Sequence, residues 1–360
     1  MRGEKQMSRF FSEKYAKLEP YVPGEQPKDQ RYIKLNTNEN AFPPHPAVAE
    51  AAAKAAKTLH LYSDPECLEL RKKLAERYGL TPEELVIVNG SDEVLNFAFM
   101  AFCDRNTPAV FPDITYGFYP VFAVLNNVPY REIPLREDLT VRTEDYLRAE
   151  GTVFIANPNA PTGIALERDR IEEILRANPD HVVVVDEAYV DFGAESCIPL
   201  IRKYGNLLVT QTFSKSRSLA GGRLGFGAAC PELIRDLETI RYSTNPYNLD
   251  SMTLAAGAAC LEHDEYNMRN CRTIAETRDR TREALAALGF EVTDSKANFL
   301  FARHPEVSGE EIYRQLKERG ILIRHFNKER IRDWNRISVG TEEQMAALLR
   351  ETEKILAGCR

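Results

Sequence analysis

Lys215 lies in TFSKSRSLAGGRLGFG (212–227), between Ser214 and Ser216 and just past the apolar run NLLVTQT (206–212). One lysine among many is ordinarily a solvated surface group. At the end of a buried strand the case changes, because partial loss of water favours the neutral amine. Such an amine attacks carbonyls and can form a Schiff base. Arg223 follows beside Gly221-Gly222, and with the nearby hydroxyls it could hold a phosphate. Asp186 closes VVVV (182–185) in VVVVDEAY. Alone it reads as a turn or helix-capping aspartate. Its chemical reading is a carboxylate facing a protonated heterocycle, which keeps a pyridinium nitrogen charged and strengthens an electron sink; Tyr189, three residues on, could reach the same ring. In NGSDE (89–93) a Gly-Ser turn opens a helix and turns backbone N–H groups toward an anion. In DITYGFY (113–119), Tyr116 could stack on a flat ring or simply pack in the core. Each signal is weak by itself, but together they point to a phosphorylated pyridine aldehyde carried on a lysine.

These residues need a scaffold that brings them to one place. LVIV (85–88), AVF (109–111), TVFIA (152–156), VVVV (182–185), NLLVTQT (206–212) and LGFGAA (224–229) are short apolar runs alternating with helical patterns. That alternation predicts an α/β domain with a mostly parallel sheet covered on both faces. Ligands bind outside the carboxyl ends of such strands, where the polar motifs fall. Helices are predicted near 46–58, 66–78, 117–126 and 167–177, and Thr81-Pro82-Glu83-Glu84 carries a helix N-cap signature. Beyond 250 the texture becomes α+β: a long helical region over 251–288, apolar runs at 290–292, 298–303, 321–326 and 336–341, and helices near 308–319 and 342–357. With roughly 100–200 residues per domain, the 360 residues divide into an N-terminal arm (1–35), a large ligand-binding domain (36–250) and a smaller C-terminal domain (251–360).

Composition removes other classes. The net charge of −7 gives no electrostatic footprint for nucleic acid. No apolar run approaches the ~20 residues that span a bilayer, and MRGEKQMSRFFSEKY has no signal-peptide core. The seven cysteines are scattered, without a Cys-x-x-Cys pair, which suits reduced thiols in a cytoplasmic protein. No His-Glu-x-x-His, Gly-x-Ser-x-Gly or Walker motif occurs, and no metal site is expected.

The motifs in their order resemble a fold-type I pyridoxal-phosphate enzyme of the class I/II aminotransferase group, and within it the chain is most similar to the histidinol-phosphate aminotransferases. The resemblance spans nearly the whole chain: PYVPG (20–24), LNTNEN (35–40), LYSDP (61–65), GSDE (90–93), TYGFY (115–119), NPNAPTG (157–163), VVDEAY (184–189), TFSKSRSLAGGRLG (212–225), GILIRHF (320–326) and RISVGT (336–341). It implies a seven-stranded sheet in the large domain and pyridoxal 5'-phosphate as cofactor. It also implies that Lys215 carries the cofactor and shuttles a proton, that Asp186 pairs with the pyridinium nitrogen, that Tyr189 bonds the phenolic oxygen and that Tyr116 stacks on the ring. The phosphate falls to Thr212, Ser214, Arg223 and the backbone of Ser91 and Asp92. Tyr62 is implied to reach the neighbouring subunit's cofactor in a homodimer. Arg336 is implied to clamp the substrate's α-carboxylate, and Arg324 and Tyr21 to face the distal part, with Arg324 as a phosphate partner. One departure stands out. The family often has Asn immediately before Pro-Thr-Gly, bonding the cofactor's phenolic oxygen, where this chain has Ala160; either Asn159, one residue earlier, takes that role through a shifted turn, or Tyr189 acts alone. Residues 1–6 have no counterpart in the resemblance.

The implied reaction is transamination of L-histidinol phosphate with 2-oxoglutarate, giving imidazole-acetol phosphate and glutamate, in histidine biosynthesis. Its rivals are an aromatic aminotransferase or a threonine-phosphate decarboxylase on the same fold, and a non-enzymatic ligand-binding regulator domain. The last would need a DNA-binding module, and residues 1–35 are too short for one.

Overall fold

A computed structural model describes residues 8–16 and 18–358; residues 1–6 and Cys359 lie outside the described residues. Strand β1 (Ile33–Lys34) and helices α1 (Pro46–Ala55) and α2 (Leu68–Tyr78) lead into the main sheet, which holds β2 (Leu85–Val88), β3 (Ala109–Pro112), β4 (Tyr130–Ile133), β5 (Thr152–Ala156), β6 (Val183–Asp186), β7 (Leu207–Thr212) and β8 (Gly225–Ala229). These seven strands are ordered β2-β8-β7-β6-β5-β3-β4. All run in one direction except β8, which is antiparallel to both of its neighbours.

The strands are apolar on both faces because both faces are covered. Leu85, Ile87, Val183 and Val185 enter the core beneath α1, α2, α5 (Arg168–Ala177) and α7 (Ser251–Glu262). The alternate residues Val86, Val88 and Val184 enter a second core with α3 (Ser91–Phe102), α4 (Tyr119–Leu125) and α6 (Pro231–Thr244). The period-2 alternation of strands thus serves two hydrophobic layers, as a doubly covered parallel sheet requires. The carboxyl ends of β2, β3, β5, β6 and β7, and the amino end of β8, all open on one edge.

After α8 (Asp264–Ala287), strands β9 (Glu291–Val292), β10 (Phe299–Arg303), β12 (Arg324–His325) and β13 (Asn335–Ser338) form an antiparallel sheet ordered β12-β13-β10-β9. Helices α9 (Gly309–Glu318) and α10 (Glu342–Gly358) pack on it through Leu316, Leu348 and Ile355. Strand β1 pairs parallel with β11 (Ile321–Leu322), and the Ser338 N–H donates to Leu35 O at 2.9 Å. The arm is thereby threaded into the smaller layer and delivers residues 36–39 to the open edge of the large sheet.

Three sequence expectations are revised. The helical region 251–288 is two helices that meet at His263. Helix α7 packs with the large layer through Ala256, Ala259 and Cys260, and Cys271 and Ile274 of α8 pack with Tyr189 and Phe192. The Thr81 capping box closes a single 3-10 turn (Pro82–Glu84), because the buried run Leu85–Val88 starts at once and takes the chain into β2. The run 321–326 is two short strands in different sheets, broken at Ile323.

Candidate active site

The sheet edge and the smaller layer enclose a cleft of about 570 Å³, within the size usual for small-molecule sites. Twelve of the expected residues line it: Lys215, Asp186, Tyr189, Ser91, Asp92, Tyr116, Thr212, Ser214, Arg223, Tyr21, Arg324 and Arg336.

Lys215 sits in the turn after β7. Its Nζ donates to Thr37 O at 3.2 Å and lies 5.9 Å from the centre of the Tyr189 ring. Burial, reinforced by the Arg336 charge, pushes its pKa down to about 8. A tenth or so of the amine is then neutral at pH 7, far more than for an ordinary lysine near 10.4. The rate at which cofactor-free protein takes up pyridoxal phosphate is expected to rise about tenfold per pH unit up to pH 7 and to flatten above 8. Stopped-flow absorbance corrected for the aldehyde's own titration checks this; a rate still climbing steeply at pH 10 would contradict it.

Asp186 ends β6, buried in a pocket of the sheet edge. Its carboxylate accepts from the Ala188 N–H and from the Tyr119 hydroxyl, each at 3.2 Å. Burial, with the Asp92 charge nearby, raises it to about 7. A carboxylate held at such cost suits a site that receives a cation.

Opposite, helix α3 begins after Gly90, whose φ of +76° belongs to the left-handed side, and no side chain caps it. A Cβ on Gly90 would stand 2.6 Å from Arg223 Nη2, and one on Gly225 would stand 2.5 Å from the Ser91 nitrogen. Both glycines are therefore required for Arg223 and the α3 amino end to close on one point. Ser214 Oγ accepts from Arg223 Nη1 at 3.2 Å and from Thr212 Oγ1 at 3.0 Å, and Tyr116 donates to Asp92 Oδ1 at 2.7 Å. A cationic fork, two hydroxyls and a helix amino end make a phosphate cradle. Together with the lysine and the aspartate, this donor set fits a phosphorylated pyridine aldehyde.

The far wall comes from the smaller layer. Arg324 and Arg336 are direct partners across the antiparallel strands β12 and β13, so both side chains leave the same face. Their guanidinium groups lie 5.8 and 5.9 Å from the Phe326 ring centre. Arg336 Nη2 donates to Asn36 O at 3.1 Å, while its buried Nε has no partner. Arg324 Nη2 donates to Val22 O at 3.3 Å, and Tyr21 stacks on Phe118 at 4.2 Å.

A family model described as "Aminotransferase class I and II" matches residues 30–351. The chain belongs to this aminotransferase family. It is 47% identical to a histidinol-phosphate aminotransferase of Clostridium acetobutylicum, across 98% of this chain and the whole of that protein. It is 50% identical to one from Marinomonas, across 95% and 98%. A solved histidinol-phosphate aminotransferase of Sinorhizobium meliloti, in complex with pyridoxal-5'-phosphate, superposes with a TM-score of 0.85 at 25% identity, covering 92% of this chain and 93% of that one.

One expected cleft residue, Asn159, does not reach the cleft, and Tyr62, expected at a neighbouring subunit's cofactor, lies outside this chain's own cleft. The Asn159 side chain is consumed locally: its Nδ2 donates to Ile114 O and Thr162 Oγ1, each at 3.0 Å, and its Oδ1 accepts from Thr115 at 2.8 Å. Ala160 faces the cleft in its place. Tyr62 is 82% exposed on the outer surface and stacks on Tyr247 at 4.4 Å. Sequence reasoning also missed Asn38, which bonds Tyr189, and Tyr119, which bonds Asp186. Both fall inside motifs quoted from the sequence, LNTNEN and TYGFY, but nothing local marked them out.

Proposed function

We propose that this chain is a pyridoxal-phosphate-dependent aminotransferase acting on L-histidinol phosphate and 2-oxoglutarate, with imidazole-acetol phosphate and glutamate as products, in histidine biosynthesis. The observation that carries the substrate is the Arg324–Arg336 pair across from Lys215. Like charges directly opposite on a sheet are destabilising, and a doubly charged phosphate ester is the ligand that rewards the arrangement. The high identity to histidinol-phosphate aminotransferases supports the same reading.

When bound, the cofactor supplies the aldehyde that takes the amino group and a conjugated ring that accepts the electron pair left when the substrate Cα–H bond breaks. The chain's own residues do the rest. Asp186 would hold a proton on the ring nitrogen. Arg223, Ser214, Thr212 and the Ser91 and Asp92 amides would hold the phosphate, and Tyr116 would lie against the ring. Lys215 would be the residue that holds the aldehyde, and its amine would serve as the acid–base group for the substrate Cα proton. Arg336 orients the substrate by its anionic end.

Tyr62 is read as a contribution to a neighbouring subunit. Its exposure, beside the exposed side chains of Leu59, Leu61 and Tyr247, supports a homodimer as the active unit. Among the described residues no helix is long and apolar enough to cross a membrane.

The test is a half-reaction. Cofactor-loaded protein mixed with L-histidinol phosphate and no oxo acid is expected to lose its visible absorbance band and gain that of the aminated cofactor. Histidine and phenylalanine at the same concentration should leave the band in place. An unchanged band with the phosphate ester, or release of carbon dioxide from threonine phosphate, would move the assignment to another substrate.

A further inference from the structure

Ala160 offers the cleft only a methyl group where the family often has an amide, and Asn159 is turned away. A different amide reaches the same neighbourhood from the arm. Asn38 lines the cleft, is 1% exposed, and its Nδ2 lies 3.1 Å from the Tyr189 hydroxyl. Resting on the reading of this cleft as a pyridoxal-phosphate site, we propose that Asn38 is a positioning residue that aims the Tyr189 proton at the cofactor's phenolic oxygen.

The Asn38 backbone N–H donates to Ser338 Oγ at 2.8 Å. The amide is oriented with its Oδ1 accepting from the Ser338 hydroxyl at 2.9 Å and its Nδ2 donating to the Tyr189 oxygen. The Tyr189 oxygen is an acceptor toward Asn38, and its own hydrogen is left to point into the cleft. Among the described residues the phenol has no other hydrogen-bond partner. Burial holds the Tyr189 phenol above its ordinary range, so it keeps the proton it is to donate. The backbone is committed as well. Asn38 has a φ of +57°, a left-handed conformation that asparagine tolerates, and its carbonyl accepts from Asn298 Nδ2 at 3.0 Å.

A hydrogen bond to the phenolic oxygen stabilises the form in which that oxygen is ionised and its neighbouring nitrogen has lost its proton. Weakening it moves the pH midpoint of the bound cofactor's visible band upward. The test follows that midpoint without substrate in Asn38→Gly, which retains the left-handed backbone, in the isosteric Asn38→Asp, in Tyr189→Phe, and in the double variants. Loss of one neutral hydrogen bond corresponds to a rise of about half a unit to one unit in Asn38→Gly. Asn38→Asp is expected to raise it further, because its carboxylate accepts the Tyr189 proton and draws it out of the cleft. In the Tyr189→Phe background Asn38→Gly should add nothing to the rise. An unmoved midpoint in both Asn38 variants, or an Asn38→Gly shift that persists in full without the phenol, overturns the inference. General damage to the fold would lower the melting temperature but would not vanish with Tyr189→Phe. Wild-type protein that acquires no visible band with pyridoxal phosphate overturns the reading of the site itself, and the inference with it.

Discussion

Lys215→Ala is expected to lower turnover by at least about 10⁴-fold, since one substitution removes both the carrier amine and the acid–base group. The variant should still bind pyridoxal phosphate, held by the cradle of Arg223, Ser214 and the amino end of α3 and by Asp186. After borohydride treatment the cofactor should dialyse away from the variant and stay on Lys215 in the wild type. Peptide mapping that finds it on another lysine in the wild type would end the assignment. A second consequence needs no cofactor. The folded pKa of about 8 lies below the ordinary value of 10.5, so the buried ammonium opposes folding. Between about pH 8 and 10.5 the unfolded chain keeps a proton that the folded chain has released, and stability from this group rises with pH through that window. Below pH 8 the full cost is present. Cofactor-free Lys215→Ala is therefore expected to melt higher than the wild type at pH 7, by a gain on the order of 1–3 kcal/mol. The gap should close as the pH rises through that window. Calorimetry of the two cofactor-free proteins decides it, and a lower melting temperature in the variant would show that Lys215 is not strained in the empty site.

The contrast between Lys215 and Asn38 marks how far the sequence could be read. Lys215, Asp186 and Ser91 each end a strand or open a helix, and a parallel sheet collects its strand ends on one edge. A local pattern therefore implied their meeting. The mostly parallel sheet and the smaller α+β layer were legible for the same reason, because alternation and apolar runs are local; the seventh strand, β4, is mostly exposed and left no apolar run to read. Asn38 bonds Tyr189 across 151 residues and Ser338 across 300; only the threading of the arm between β11 and β13 creates that meeting. Asn159 fails the other way. Its place beside Pro-Thr-Gly suggested the cleft, but the turn needs its amide for Ile114 and Thr162. Tyr62 could not be judged from one chain, since its proposed partner belongs to another.

Arg336→Ala is expected to lower kcat/KM by about 10²–10³-fold with L-histidinol phosphate and with glutamate alike, the loss of a buried charge-assisted contact worth about 3–4 kcal/mol in the transition state. Arg324→Ala should separate the two substrates. The phosphate ester of histidinol phosphate hangs on the carbon that takes the place of the α-carboxylate carbon of glutamate, so Arg336 must meet both anions. A phosphate carries the larger charge and the longer reach, and the register pairing of β12 with β13 puts the second guanidinium beside the first. Arg324→Ala is therefore expected to cost the phosphate donor roughly tenfold or more and glutamate much less. It should also stabilise the empty protein by about 0.2–1 kcal/mol, because it relieves two like charges directly opposed across the strands. Half-reaction rates with each donor, set beside melting curves of the cofactor-free variants, test both parts. Equal losses on the two donors would remove Arg324 from phosphate selection, and a destabilised variant would show that its bond to Val22 O outweighs the repulsion. A gain in stability with a donor-selective loss of rate is the signature of a like-charge pair whose compensation comes from the substrate.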